Sequence, residues 1–113
     1  MLTSGDVVSL EFGTPTGREA GYRHPAVVVT AQRVLDADPS VLQVVPLTST
    51  LRRFHSEIVI NPDDTNGLTL TSAAQCQHIR SVARERVLDA RGNVGAAVLA
   101  QIRETIAIIL DLP

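Results

Sequence analysis

Two short polar stretches, each joined to an apolar run, carry the side chains of this chain that could do chemistry. The first, residues 17–24, precedes apolar residues 25–29 and supplies a carboxylate, two arginines, a phenol and an imidazole: Glu19, Arg18, Arg23, Tyr22 and His24. The second, residues 48–50, follows apolar residues 41–47 and supplies three hydroxyls. Arginine binds phosphate oxygens through its planar fork, while positioned acids, bases and hydroxyl donors promote proton transfer and stabilise developing charge. Together the two stretches are suited to phosphodiester chemistry.

Length and composition predict one domain spanning residues 1–113 with an aliphatic core. The 113 residues include two Phe, one Tyr and no Trp. Cys76 is the one cysteine, so no intrachain disulfide can form, which is typical of a reducing cytosol. Residues 1–6 lack the cationic and apolar regions of a signal peptide, and no apolar run approaches the ~20 residues of a membrane span. We therefore expect a cytoplasmic protein that does not cross a membrane.

The charge pattern requires any nucleic-acid site to be a local patch. Twelve acidic residues outnumber ten basic ones, whereas nucleic-acid-binding domains are usually basic overall. Every basic residue is an arginine, which either phosphate recognition or a GC-rich genome would explain. The arginines available for such a patch are Arg18, Arg23, Arg52, Arg53 and Arg80.

Short apolar runs separated by glycine and proline breaks predict a mainly β domain. The pattern favours five or six strands, in residues 6–12, 25–29, 41–47, 56–60, 70–79 and 86–88. Residues 31–40 are expected to form a polar connection, and residues 63–67 a turn with Gly67 at positive φ. Strands followed by a helix favour an α+β class, and the short broken strands favour a small, strongly bent barrel or half-barrel.

The C-terminal stretch is predicted to be a helix because its apolar residues change to helical spacing. Val98, Ile102, Ile106 and Ile109 recur on one side. Ile108 falls instead on the polar side, where it is either an isolated exposed aliphatic residue or a contact with another chain.

Four segments, in this order, are similar to the motifs of one family: Gly5-Asp6-Val7-Val8; Gly17-Arg18-Glu19 with Pro25-Ala26-Val27-Val28-Val29; Val45-Pro46-Leu47-Thr48-Ser49; and Gln75-Cys76-Gln77-His78-Ile79-Arg80-Ser81. On these residues the chain resembles the MazF/PemK ribonuclease toxins of bacterial toxin–antitoxin modules. The resemblance implies a barrel of the CcdB/PemK type with a C-terminal helix, a homodimer, and neutralisation by a MazE-like antitoxin. It also implies sequence-specific cleavage of single-stranded mRNA, rRNA or tRNA without a metal or cofactor, by attack of the 2′-hydroxyl on its own phosphate.

The chain departs from the family pattern at three positions. His24 occupies the position before the proline where the family usually has arginine, and Arg23 lies one residue earlier. Gln77 replaces an acidic residue, and His78 replaces the glutamine that usually follows it. These departures leave open which of Arg23 and His24 fills the arginine role.

The resemblance assigns candidate catalytic roles to four residues. Arg23 is favoured as the phosphate clamp, with His24 as the alternative occupant and the better proton carrier. Glu19 matches the family's Gly-x-Glu and is the candidate general base. Thr48 is expected to donate its hydroxyl to a phosphate oxygen, supported by Ser49. Each has a structural alternative: a solvated arginine, a loop histidine bound to backbone, a carboxylate paired with arginine, and a threonine that satisfies a strand end.

The remaining candidates would bind RNA outside the reacting phosphate. Arg52 and Arg53 are expected to attract the backbone, and Tyr22 to stack on a base. Gln77 and Arg80 lie in the last family motif and are candidate RNA contacts, whereas Phe12 and Phe54 are expected in the core.

The sequence predicts no metal site, and it leaves two alternative functions open. Cys76, His78 and His55 do not have recognised metal-ligand spacing, so we expect Cys76 to be a small buried residue and predict no metal site. A gyrase poison of the CcdB type and a non-catalytic RNA-binding or interaction barrel are the alternative functions. The ending Leu110-Asp111-Leu112-Pro113 lacks the Trp-Gly-Ile that such poisons commonly carry.

Overall fold

A computed structural model of the chain describes residues 1–11 and 23–113. The described residues form seven strands and two α-helices: β1 Asp6–Glu11, β2 Arg23–Val28, α1 Gln32–Leu35, β3 Val41–Thr48, β4 Glu57–Ile60, β5 Ser72–Gln75, β6 Arg80–Ala83, β7 Val87–Asn93 and α2 Ala96–Ile109. The predicted α+β class, mainly β with a C-terminal helix, is confirmed.

All described strand pairings are antiparallel, in the order β4-β5-β3-β2-β1-β7. The long strand β3 has two partners on its second side, since its end at Leu47 and Thr48 pairs with β5 and residues 41–44 pair with β6. No described pairing joins β4 to β7, so the predicted barrel is an open, bent sheet within residues 1–11 and 23–113.

The sheet is buried on both faces, which explains its runs of adjacent apolar residues. One face packs against α2 and contains Val27, Val45 and Leu47, which join Leu99 and Ile102 of the helix. The other face packs under α1 in a second cluster: Leu2, Val8, Leu10, Ala26, Val28, Leu35, Leu42, Val44, Val82 and Val87. Alternation along β2 therefore places His24 on the face of Ala26 and Val28, opposite to that of Val27.

Several elements differ from the sequence prediction for identifiable reasons. Strand β6 was missed because Val82 is its one buried residue, and α1 because four residues with one buried leucine show no periodicity. Strand β7 runs to Asn93, well beyond the predicted residues 86–88. The prediction that Phe54 is a core residue is wrong, since its ring is 51% exposed and lies 5.0 Å from the Arg52 guanidinium.

The turn prediction holds, and the helix forms as predicted, except that Ile109, expected on its apolar side, is 42% exposed. Gly67 has a φ of +68°, as expected for the turn at residues 63–67. Leu99, Ile102 and Ile106 form the buried face of α2, while Ile108 is 74% exposed. No described helix is long and apolar enough to cross a membrane.

Candidate active site

An open cleft of about 280 Å³ lies where β2 begins and β3 ends. His24 and Pro25 line it from β2, and Leu47, Thr48 and Ser49 line it from β3 and its loop. The opposite wall consists of residues 68–70 and two further residues, Ser72 and Arg91. His24, at the end of the first polar stretch, and Thr48 and Ser49, from the second, therefore meet in space because β2 and β3 are antiparallel neighbours.

Proline at position 25 creates the hydrogen-bond partner of His24. The ladder between β2 and β3 includes a bond from the Val29 N–H to the Gln43 carbonyl. The same register places residue 25 opposite Leu47, but Pro25 has no N–H to donate to that carbonyl. The imidazole of His24 donates to the Leu47 backbone instead. His24 is thereby held at the cleft rather than left to rotate in solvent.

Burial and this hydrogen bond act in opposite directions on His24. Partial burial lowers the pKa of the imidazole, the bond to Leu47 raises it, and the net result is a pKa below the ordinary value of 6.5. His24 is therefore mainly neutral at pH 7, and a neutral imidazole can accept a proton.

The hydroxyl of Thr48 is oriented by the turn that follows it. Its oxygen accepts a hydrogen bond from the Thr50 N–H at 3.1 Å, so the strand-end role considered for this residue is present. A hydroxyl has a second lone pair and its own proton, and that proton remains able to donate to an oxyanion in the cleft. Ser49 lies beside it and is exposed.

Arg23 occupies a different position from its neighbour. It pairs across the strands with Glu11, is exposed, and is not among the residues that line the cleft. Arg23 and His24 are adjacent strand residues, so their side chains project from opposite faces of the sheet. Arg18, Glu19 and Tyr22, which complete the predicted group, lie outside the described residues.

The predicted RNA contacts Arg52 and Gln77 share a buried partner that the sequence analysis missed. Glu57, whose side chain is 1% exposed, accepts bonds on Oε2 from Arg52 at 2.7 Å and from the Gln77 amide at 2.8 Å. The Gln75 amide adds a longer contact of 3.4 Å. Burial alone would raise the pKa of Glu57, but the bonds from Gln77, Arg52 and Gln75 and the Arg52 charge lower it below 4.5. The cluster ties the loop after Thr48 to β4.

The other predicted contacts are dispersed on the surface. Arg53 is exposed, with a φ of +57°, in the loop between β3 and β4. Arg80 is exposed at the start of β6. It pairs with Val44 of β3, away from the end of β3 that carries Thr48. Neither lines the cleft. The described residues therefore place His24, Thr48 and Ser49 together, with Arg52 and Gln77 engaged nearby in the Glu57 cluster.

Cys76 is buried, as predicted, and its thiol stays protonated and unreactive near neutral pH. Burial raises the pKa of its thiol to about 11, against an ordinary 9.0. Among the described residues, no three His, Cys, Asp or Glu side chains come together in a group that could hold a metal ion.

Comparison with known proteins identifies the family to which this chain belongs. Residues 3–110 match the family described as PemK-like, MazF-like toxin of type II toxin-antitoxin system. The chain belongs to this family.

Individual relatives cover nearly the whole chain. Endoribonuclease MazF9 of Mycobacterium tuberculosis H37Rv is 35% identical over 116 residues, covering 99% of this chain and 98% of the relative. MazF in a MazE–MazF crystal structure from Deinococcus radiodurans has a TM-score of 0.79 at 26% identity, covering 97% of this chain and 96% of that one. Mycobacterium tuberculosis toxin MazF-mt6 shares the fold, with a TM-score of 0.76 at 18% identity and coverage of 96% and 98%.

Proposed function

We propose that this protein is an endoribonuclease toxin that cleaves single-stranded RNA in a sequence-specific manner and so inhibits translation and growth. The observation that carries the proposal is the meeting of His24 and Thr48 in one open cleft at the ends of β2 and β3. Its family membership and its 35% identity to a protein named endoribonuclease MazF9 support RNA as the substrate.

In the proposed reaction the 2′-hydroxyl attacks the adjacent phosphorus and the 5′-oxygen leaves. The products are a 2′,3′-cyclic phosphate and a 5′-hydroxyl. A base must take the 2′-proton and an acid must protonate the leaving oxygen, a contribution of typically ~10²–10⁴-fold. His24, neutral near pH 7 and held by the Leu47 carbonyl, is suited to the proton transfer. Glu19 remains the second candidate for the base.

Charge on the phosphorane would be stabilised by Thr48 and by an arginine. The Thr48 hydroxyl, fixed through Thr50 N–H, is proposed to donate to a non-bridging oxygen. Arg23 remains the proposed clamp on the phosphate from the entrance side, because its exposed guanidinium can reach RNA that lies over the cleft. Arg18, Tyr22, Arg53 and Arg80 are proposed contacts for flanking nucleotides.

The proposal extends to partners and location. MazE–MazF crystal structures from a relative 26% identical to this chain support a cognate antitoxin, and the family suggests a homodimer. We place the single domain, residues 1–113, in the cytoplasm, where its RNA substrates are. An acidic antitoxin segment over the arginine-bearing loops would compete with RNA for the same cations.

Cleavage in the presence of a chelator tests this function. The purified protein is incubated with a mixed-sequence single-stranded RNA in EDTA, and the product ends are analysed. We expect fragments ending in 2′,3′-cyclic phosphate, and loss of cleavage by ~10²-fold or more in Thr48→Val, which keeps the shape but removes the donor. Intact RNA with wild-type protein would refute the enzyme and favour a gyrase poison or a non-catalytic binding barrel.

A further inference from the structure

The described lining of the cleft contains one permanently charged side chain, Arg91. The other lining residues are apolar, hydroxyl-bearing or, in the case of His24, mainly neutral at pH 7. Arg91 belongs to β7, lies 43 positions after Thr48 in the sequence, and falls outside the motifs of the family resemblance. Arg23, the arginine favoured from the sequence, is not part of this lining.

The fold holds the backbone of Arg91 against the loop that forms the opposite wall. The Thr65 carbonyl accepts a hydrogen bond from the Asn93 N–H at 2.8 Å, two residues after Arg91. Glycine is required on both sides of this contact, because a Cβ at Gly67 would overlap the Arg91 carbonyl and a Cβ at Gly92 would overlap the Thr65 carbonyl. The close approach brings residues 68–70 and Arg91 into one wall of the cleft.

The guanidinium of Arg91 is available for a ligand within the described structure. Arg91 is exposed. Within residues 1–11 and 23–113 the single ion pair joins Arg52 and Glu57, so Arg91 takes part in none. Arg52 has its charge compensated by that carboxylate, whereas Arg91 lines the cleft together with the hydroxyl-bearing residues Thr48 and Ser49. Uncharged hydroxyl donors beside an arginine make a surface that attracts an anion with several oxygens.

We propose that Arg91 is the phosphate-binding cation of this cleft and holds a backbone phosphate of single-stranded RNA against Thr48. The inference rests on the proposed function for the identity of the ligand, an RNA phosphodiester. Where the family usually has arginine this chain has His24, which is mainly neutral at pH 7. Arg91 supplies a permanent positive charge to the same cleft.

The salt dependence of binding tests the proposal separately from catalysis. The probe is a mixed-sequence single-stranded RNA oligonucleotide with 2′-O-methyl groups, which cannot be cleaved because its 2′-oxygen cannot attack. Each phosphate contact on a single strand contributes about −0.7 to the slope of log K against log salt. We expect Arg91→Gln to reduce the slope by about 0.7 and Arg91→Lys to keep it, while both lower kcat/KM for cleavable RNA.

Arg33→Gln is the matched control. Arg33 is an exposed arginine of α1, beyond the other end of β2, roughly 20 Å away by the rise of a six-residue strand. This variant makes the same charge change and should leave slope and cleavage unchanged. Equal slopes for Arg91→Gln, Arg33→Gln and wild type would overturn the proposal even if wild type cleaves RNA. Failure of wild type to cleave, with the expected slope change in Arg91→Gln, would refute the nuclease while leaving the phosphate site in place.

Discussion

Removing the Glu57 carboxylate should destabilise the loop that follows Thr48, and the size of the effect can be worked from its contacts. Glu57 lies on β4, and its Oε2 receives the Arg52 guanidinium and the Gln77 amide at 2.7 and 2.8 Å. Glu57→Ala would leave both donors without this acceptor. Arg52 belongs to the loop between β3 and β4, so the loss would act on the segment next to the cleft.

The two bonds do not contribute equally. The bond from Gln77 joins a part-buried amide to a carboxylate and is expected to stabilise the fold by ~1.5–3 kcal/mol. The Arg52 side chain is 41% exposed, so solvent screening reduces its pair to ~0–1 kcal/mol. The contact from Gln75 at 3.4 Å adds little. We therefore expect Glu57→Ala to lower the free energy of unfolding by about 2–4 kcal/mol, or roughly 8–17 °C in Tm for a domain of this size.

The effect of Glu57 should depend on pH in a defined direction. Its folded-state pKa lies below the ordinary 4.5, so the folded protein holds the proton less tightly than the unfolded chain does. The stabilisation from its charge is fully present above about pH 4.5, and it is lost as the pH falls through the folded-state pKa. The difference in unfolding free energy between wild type and Glu57→Ala should accordingly shrink in acid.

Urea and thermal unfolding at fixed protein concentration would measure these differences. Glu104→Ala, which removes an exposed carboxylate from α2, serves as the control and should change stability by less than about 0.5 kcal/mol. Two results would contradict this reasoning. Glu57→Ala could lower the unfolding free energy no more than Glu104→Ala does, or Arg52→Ala could lower it as much as Glu57→Ala does. Either result would show that the bond from the Gln77 amide does not stabilise the fold more than the Arg52 ion pair.

Three further predictions concern the cleft, the helix end and the cysteine. His24→Ala should reduce cleavage and flatten the limb of the pH–rate profile that falls below pH 6.5, because the pKa of His24 is lowered; Arg23→Ala should leave that limb in place while lowering the rate. An unchanged limb in His24→Ala would remove this histidine from proton transfer. Ile108→Asp, at a 74% exposed position, should convert the proposed homodimer to monomer in sedimentation, and a wild-type monomer at micromolar concentration would refute the dimer. Cys76, with a thiol pKa of about 11, should react with iodoacetamide at pH 7.5 at least 10²-fold more slowly in the folded than in the unfolded protein; equal rates would contradict its burial.

The sequence could predict the parts of the fold that depend on local pattern. The apolar runs that became β2 and β3, the positive φ of Gly67 and the buried face of α2 follow from side-chain periodicity and turn chemistry, which neighbouring residues fix. Strand β6 and helix α1 could not be found this way, because each buries one residue and depends on tertiary pairing or packing. His24 and Thr48 could be located at neighbouring strand ends because their motifs border those strong strands, and their roles stay a prediction.

What the sequence by itself determined is the supply of reactive groups: a histidine before a proline, a threonine at a strand end, arginine as the one basic residue type, and the family motifs in order. What the tertiary structure decided is which of these groups meet. The β2–β3 register and the missing N–H of Pro25 direct His24 into the cleft while Arg23 stays outside its lining. The close contact at Gly67 and Gly92 brings Arg91 to the same cleft, and the buried strand β4 gives Arg52 and Gln77 their partner in Glu57. Apart from the Arg52–Glu57 pair, these contacts join residues well separated in the sequence. No local pattern encodes them, because they arise only when strands distant in the sequence become neighbours in the sheet.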